Sequence, residues 1–527
     1  MKKFGRKAGM ALAVLFATGV GACTDLTTEP RSTVSSGTVF TDADSYEAFL
    51  AKVYAGLALS GQQGPAGEPD IEGSDEGFGQ YVRGYWQLQE LPTDEAVIGW
   101  GDPGLPDMVT GNWGSANIFV TAAYYRIFFQ IAMANEFLRQ TSDAALGLRG
   151  HTGIAEIPQY RAEARALRAL SYWHGLDLFR NIPLVTEDFV VGNLPEQVTP
   201  TELFDYIESE LLAIRDELPA VGDAQYGRLD QGFVAMLLAK LYLNAEVYGV
   251  GDHSAQAMTE AQIVASSTAY ELDDEYQHLF LADNHTSPEI VFAVPFDGLR
   301  TQTWGGTTFL THAALGGSMN APDYGVADPW GGLRVTQQFV ALFEGGADGP
   351  DDRSDILYTS GQDSIVGSLS SFNEGYAFPK YQNVTSLGVD GSHATHTDND
   401  FPMFRLADAM LMYAEACLRS GGGACEATAL GYVNEIRERA YGNTSGNISA
   451  AELTLDFILD ERARELSWEA HRRTDLIRFG LYTGGEYVWA FKGGAVEGAA
   501  LPQFREIYPI PANELIANPN LDQNPEY

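Results

Sequence analysis

LDFILDERARELSWEA, residues 455–470, is the stretch whose reading decides the fold. Leu455, Leu459, Ala463, Leu466 and Ala470 recur in steps of three and four, the period of an α-helix with one apolar face. Glu461, Arg462, Arg464, Glu465 and Glu469 crowd the opposite side, at spacings that bring opposite charges together. Two facing carboxylates could serve glycoside hydrolysis. The interleaved arginines, however, would hold them ionised and lower their pKa values. The run therefore reads as a structural ion-pair network between helices, with His471 as a hydrogen-bonded structural residue beside it.

Working outward, the segments Ala116–Leu138, Tyr160–Phe179, Phe233–Tyr248 and Arg405–Arg419 also carry apolar residues at helical spacing, with small residues mixed in. The helix from Arg161 has Ala162, Ala164, Ala166, Leu167, Ala169, Leu170, Trp173 and Leu176, which leave little polar circumference, so it is expected to be buried. Capping pairs mark three helix starts: Asp44 with Glu47, Thr199-Pro200 with Glu202, and Ser449 with Glu452. Alanine-rich helices joined by short turns imply a mainly α fold of stacked helical hairpins. The logic is that of tetratricopeptide-like solenoids, although no strict 34-residue register is present.

The texture changes to Gly, Asp, Thr, Ser and aromatic residues over residues 61–114 and 271–399, with short apolar runs such as Ile290–Pro295. Both regions read as loop-rich, partly β insertions on the helical frame. Ligand sites belong more naturally there than on packed helices.

The chain opens on Lys2, Lys3, Arg6 and Lys7, then an apolar run from Met10 to Val20, then Gly21-Ala22-Cys23. A span of the bilayer needs about 20 apolar residues, so this shorter run reads as an export signal over residues 1–22. The small residues before Cys23 resemble the lipobox of bacterial lipoproteins. That resemblance implies cleavage before Cys23 and lipidation of the cysteine, and two or more acyl chains would anchor it stably. The alternative is an ordinary secretory signal. Residues 23–38, rich in Thr and Ser, then form a tether, and residues 39–527 a single domain. The whole chain has 32 Lys and Arg against 71 Asp and Glu, and removing the signal leaves 28 against 71. So acidic a surface has no basic patch for a phosphate backbone, which excludes nucleic acid as a partner. Cys417 and Cys425 flank Gly421-Gly422-Gly423 and either close a small disulfide loop or remain buried free thiols. Neither pairs with a histidine at zinc-ligand spacing. No metal or cofactor is implied.

Four stretches, in order, resemble the SusD/RagB family of outer-membrane nutrient-binding lipoproteins. Arg161–Leu170 followed by Asn181-Ile182-Pro183-Leu184-Val185 is similar to one family segment, with Asn181 at a varied position. Phe401–Asp408 running into Tyr413-Ala414-Glu415-Ala416 is similar to a second. The third, and most specific, is Ile458–Leu466 continued by Glu469, His471, Arg472, Asp475, Leu476 and Arg478. It has Ala470 where the family commonly has glycine. The closing pattern is Tyr508-Pro509-Ile510-Pro511, Asn518-Pro519 and Gln523-Asn524-Pro525. The resemblance implies a tetratricopeptide-like scaffold tethered by lipid to the outer face of an outer membrane. It implies capture of oligosaccharides, or in some members peptides, for a SusC-like TonB-dependent transporter, with no chemistry performed.

Glycan capture needs flat apolar faces that stack on sugar rings, beside groups that hydrogen-bond hydroxyls, and Trp and Tyr supply both. The candidates in the insertions are Trp86, Trp100, Trp304, Tyr324 and Trp330. Glycines beside Trp100, Trp304 and Trp330 leave those rings uncrowded. Asp94 resembles a family position beside the glycan site and reads equally as a turn or helix cap. Trp113, Trp173, Trp468 and Trp489 are assigned to packing. Asp351, Asp352 and Asp355 offer oxygens for calcium but lack the full loop pattern, so the segment reads as a solvated acidic turn. There is no phosphate-loop or Gly-x-Ser-x-Gly motif. Three rival readings remain at this level: peptide capture by the same architecture, an all-helical glycoside hydrolase or lyase, and a structural adaptor.

Overall fold

The computed structural model describes residues 39–190 and 192–527. The export signal, Cys23 and the tether to residue 38 lie outside the described residues. Residues 46–527 form one compact unit. The described residues hold sixteen α-helices: α1 Ala43–Ala58, α2 Tyr81–Glu90, α3 Leu105–Thr110, α4 Ile118–Gln140, α5 Asp143–Arg149, α6 Ile157–Phe179, α7 Pro200–Ile214, α8 Gln231–Leu243, α9 Ser254–Ala265, α10 Gly306–Ala313, α11 Gln337–Val340, α12 Leu406–Arg419, α13 Glu426–Ala440, α14 Leu455–Leu466, α15 Arg472–Arg478 and α16 Ala512–Ala517. Four short strands accompany them: β1 Val97–Ile98, β2 Ile290–Val294, β3 Leu333–Arg334 and β4 Phe401–Arg405. The fold is mainly α, as the periodicity predicts. No helix among the described residues is long and apolar enough to cross a membrane.

Helices near in sequence pack on one another, α4 on α6, α6 on α7, α8 on α9 and α12 on α13, while α9 packs on α12 across the 271–399 insertion. Helix α6 is central because its alanines, Ala162, Ala164, Ala166 and Ala169, are at most 1% exposed and let α4 and α7 approach from two sides. Thr199 and Glu202 form the expected reciprocal capping box at α7. The other two expected caps are corrected. At α1 the reciprocal pair is Asp42 with Ser45, and Asp44 lies within the first turn. Ser449 and Glu452 close a turn, while α14 starts after Thr454, whose hydroxyl accepts from Phe457 N. Cys417 and Cys425 form a disulfide that joins the last turn of α12 to the start of α13.

Helix α14 ends at Leu466, not at Ala470 as its periodicity predicts. Trp468 and Ala470 take left-handed φ values of 60° and 65°, which break the helix. The break is paid for by α2 and the turn after it. Trp468 N donates to Glu95 Oε2 at 3.0 Å, the Trp468 indole donates to Glu95 O at 2.8 Å, and His471 N donates to Glu90 Oε1 at 3.0 Å. The chain then re-enters a helix as α15.

The charged side of α14 faces protein, not water. Glu461 accepts from Arg353, Arg437 and Arg464, and Glu465 from Arg353, Arg405 and Arg439. Glu469 pairs with Arg405 and Lys380, and Arg462 with Asp408 and Asp475. The expected ion-pair network is therefore present, and it is buried. Burial alone would raise the Glu461 carboxyl, but Arg353, Arg464 and Arg437 outweigh it and hold it at about 2. Asp351 corrects the acidic-turn expectation, because it is fully buried and pairs with Arg353 at 2.7 Å inside this network.

The insertions also differ from expectation in one respect. Residues 61–114 contain α2, nearly all of it buried, capped by Gln80, whose side chain accepts from Arg83 N. Residues 271–399 are loop-rich as expected, and their strand β2 pairs antiparallel with β4.

Candidate functional site

Strands β1 and β3 pair antiparallel with Val97 opposite Arg334 and Ile98 opposite Leu333. Gly99 N extends the ladder by donating to Gly332 O at 3.0 Å. This places Trp100, at the end of β1, against the loop that precedes β3. A Cβ on Gly332 would lie 2.6 Å from the Trp100 ring, so only glycine lets the indole settle there. The Trp100 indole N–H donates to Trp330 O at 3.3 Å. The Trp330 loop is pinned in turn to the end of α10: Trp330 N donates to His312 O and Gly332 N to Ala313 O, both at 2.9 Å.

Three of the predicted residues thus meet. The Trp330 ring lies between Trp304, 6.1 Å away, and Trp100, 6.3 Å away, each inclined to it by 48°. All three are partly exposed, so they form a faceted aromatic surface. His312 stacks on Trp330 at 4.5 Å and 20°, with Nδ1 2.6 Å from Asp328 O and Nε2 2.8 Å from Thr395 O. Burial lowers the His312 pKa, and a neutral imidazole can donate to only one of those two carbonyls. His396 lies 4.9 Å from Trp304 and contacts Thr303 O through Nδ1.

Arg83, on α2, supplies the cation. Its guanidinium sits 4.1 Å from the Phe309 ring centroid and 5.9 Å from that of Trp100, and Nη1 donates to Trp304 O at 3.0 Å. Burial lowers its pKa to about 10 against the opposing pull of Asp75 and Asp102, so it stays charged at neutral pH. Its Nε has no protein partner. The surface therefore offers stacking faces, a guanidinium and the exposed Asp102 carboxylate side by side.

The other three candidates lie apart from this surface. Trp86 is fully buried, with its indole N–H donating to Trp468 O at 3.0 Å, and it meets Phe309 edge-on at 5.7 Å. Phe309 in turn lies 5.7 Å from Trp100, so Trp86 underlies the surface without reaching it. Asp94 is fully buried and takes Arg472 Nε and Nη2 at 2.7 Å each and the Tyr487 hydroxyl at 2.6 Å. Its burial keeps it out of a ligand's reach, and it acts from within the fold. Tyr324 lines a separate cleft of about 430 Å³ with Tyr358, Asp352 and Asp355. Trp113, Trp173, Trp468 and Trp489 are buried, as assigned. Among the described residues no group of three or more His, Cys, Asp or Glu side chains is placed to hold a metal ion.

Residues 357–527 match the SusD family model. Over 566 aligned positions, 98% of each chain, the sequence is 33% identical to the starch-binding protein SusD of Bacteroides thetaiotaomicron. The chain belongs to the SusD family. It is also 27% identical to the SusD-like protein P25 of Formosa agariphila, over 71% of this chain and 73% of that one. The fold matches the surface glycan-binding protein A of Bacteroides fluxus with a TM-score of 0.71 at 20% identity, covering 92% of this chain and all of that one. It matches the Bacteroides thetaiotaomicron protein A, solved with laminarihexaose, at 0.69 and 18%, over 92% of this chain and 99% of that one.

In this SusD-family chain, sequence reasoning missed Arg83, Phe309, His312 and His396. Arg83 belongs to a helix that the loop-like composition around it conceals, and the two histidines act through loops distant in sequence. Only the glycines at 305 and 332 signalled that something bulky packs close by. A Cβ at Gly305 would lie 2.4 Å from Gln80 Cβ, at the cap of the helix that carries Arg83.

Proposed function

We propose that this protein captures a neutral polysaccharide, of the α-glucan type found in starch, on the Trp100, Trp330 and Trp304 surface and passes it on without chemical change. The observation that carries this reading is the convergence of three partly exposed indoles with Arg83 and Asp102. Sugar rings stack on the indole faces, and the guanidinium and carboxylate take their hydroxyls. The 48° inclinations make the surface faceted, which suits a curved chain better than a flat ribbon. The kinship with starch-binding SusD over nearly the whole chain favours the same ligand class.

A binding role without catalysis fits the electrostatics. The Glu461 and Glu465 carboxylates are buried and held ionised by the guanidinium groups around them, and Glu469 is buried against Arg405, so none of the three meets substrate. In this reading Cys23 carries the lipid anchor, residues 24–38 tether the SusD-like domain to the outside of the outer membrane, and a SusC-like transporter receives the glycan. Affinity electrophoresis against starch, laminarin and an acidic polysaccharide tests the reading. Retardation by starch that Trp330→Ala abolishes is the expected result. No retardation by any polysaccharide, with binding of protein digests instead, would replace glycan with peptide.

A further inference from the structure

A cleft of about 990 Å³ opens beside the indole surface. Its floor comes from the first turns of α4, with Ile118, 43% exposed, and Tyr125, while Phe78 lines it from the loop before α2. Its rim carries Glu72, Asp75 and Glu76, with no cation among the residues that line it. One strip of chain separates it from the indoles. A Cβ placed on Gly77 would lie 3.1 Å from Asp75 Oδ1, 2.9 Å from Arg83 Nη1 and 3.3 Å from Trp304 Cβ. Asp75 therefore borders the cleft on one side and Arg83 and Trp304 on the other.

Building on the glycan reading, we infer that this cleft is a second subsite for the same polysaccharide, occupied by the sugar units beyond those on the indoles. The chemistry of its walls suits sugar. Phe78 and Tyr125 offer ring faces, the carboxylates accept hydrogen bonds from hydroxyls, and Ser115, Thr121 and Asn513 add neutral partners. Glu72 and Glu76 set its selectivity, because acidic groups with no cation among the residues lining the cleft repel uronate- or sulfate-bearing chains and leave neutral ones unaffected. The indole surface gives the family-like contact. The cleft makes affinity rise with chain length and excludes acidic polymers.

The test is isothermal titration of the purified protein with maltotriose and maltoheptaose, comparing wild type with Ala116→Trp. Ala116 is an exposed cleft residue whose replacement by Trp fills the space without touching the core. The wild type is expected to bind the longer chain about tenfold more tightly, and Ala116→Trp to erase that gain while maltotriose affinity stays the same. A second variant, Glu72→Lys with Glu76→Lys, is expected to admit a carboxylated maltodextrin that the wild type rejects. If Ala116→Trp leaves the length dependence intact, the cleft is not a glycan subsite. If length has no effect and an oligolysine peptide binds the wild type but not Ala116→Trp, the cleft is a docking site for a basic protein segment instead. Failure of both oligosaccharides to bind the wild type, while Trp330→Ala changes nothing, would sink the underlying glycan reading, an outcome distinct from either.

Discussion

Asp94 and Arg472, 378 residues apart in sequence, meet in a two-point ion pair at 2.7 Å with both side chains buried. The contact ties the turn after α2 to the first turn of α15. From the other side, the Thr336 hydroxyl donates to Asp94 O, which carries the same tie to the segment following β3. Asp94 thus holds in place the chain that leads through β1 to Trp100.

Removing one partner of this pair leaves an uncompensated buried charge, which costs about 3–5 kcal/mol. Asp94→Ala is expected to lower the unfolding free energy by that amount in urea titration. The protein that remains folded should bind glycan with affinity within about twofold of wild type. A large loss of affinity at full stability would instead make Asp94 a ligand contact.

Trp330 is the central ring, and its truncation should remove most of the stacking. A hot-spot loss of 2 kcal/mol or more corresponds to about 30-fold weaker binding. His312→Ala leaves the ring in place but removes its stacking partner and its tie to the loops at Asp328 and Thr395. A smaller loss, about five- to tenfold, is expected there, measured by calorimetry with unfolding curves as the control.

The buried carboxylates predict opposing effects of pH on stability. Glu461 has its folded pKa depressed from 4.5 to about 2, so its contribution is complete above pH 4.5 and is lost as pH falls toward 2. Glu90 is the opposite case. Burial raises it to about 7, and Glu95 beside it is raised as well, so the cost of ionising the pair is absent below pH 4.5 and grows as pH rises toward 7. Glu90→Gln is therefore expected to be more stable than wild type at pH 8, relative to pH 5. Glu461→Gln should be less stable than wild type at pH 7 and flatten the acid limb. Urea midpoints across pH 3–9 check both.

Ala470 holds a left-handed conformation at φ 65° in a fully buried turn. A non-glycine residue there costs about 1–2 kcal/mol, partly offset by the greater freedom glycine has in the unfolded chain. Ala470→Gly is expected to stabilise the protein by about 0.5–1 kcal/mol in denaturant unfolding. Destabilisation would mean that the Ala470 methyl group contributes more by packing than the backbone loses by strain.

Local pattern determined the helices. The alanine spacing of α6, the Thr199 to Glu202 box and the period of α14 are properties of residues three or four apart, which interact whatever the rest of the chain does. The same locality made Trp100, Trp304 and Trp330 legible as uncrowded rings, because their glycines sit beside them. What the sequence could not carry was decided by contacts across hundreds of residues. α14 stops at Leu466 because Glu90 and Glu95 take the amides of His471 and Trp468, and its charged face is buried because Arg353, Arg405, Arg437 and Arg439 arrive from other elements. Trp86 and Trp100 looked alike as residues, yet one is core and the other surface. The difference lies in the pairing of β1 with β3 and the packing of α2 on α10, and long-range geometry of that kind is set by the tertiary structure alone.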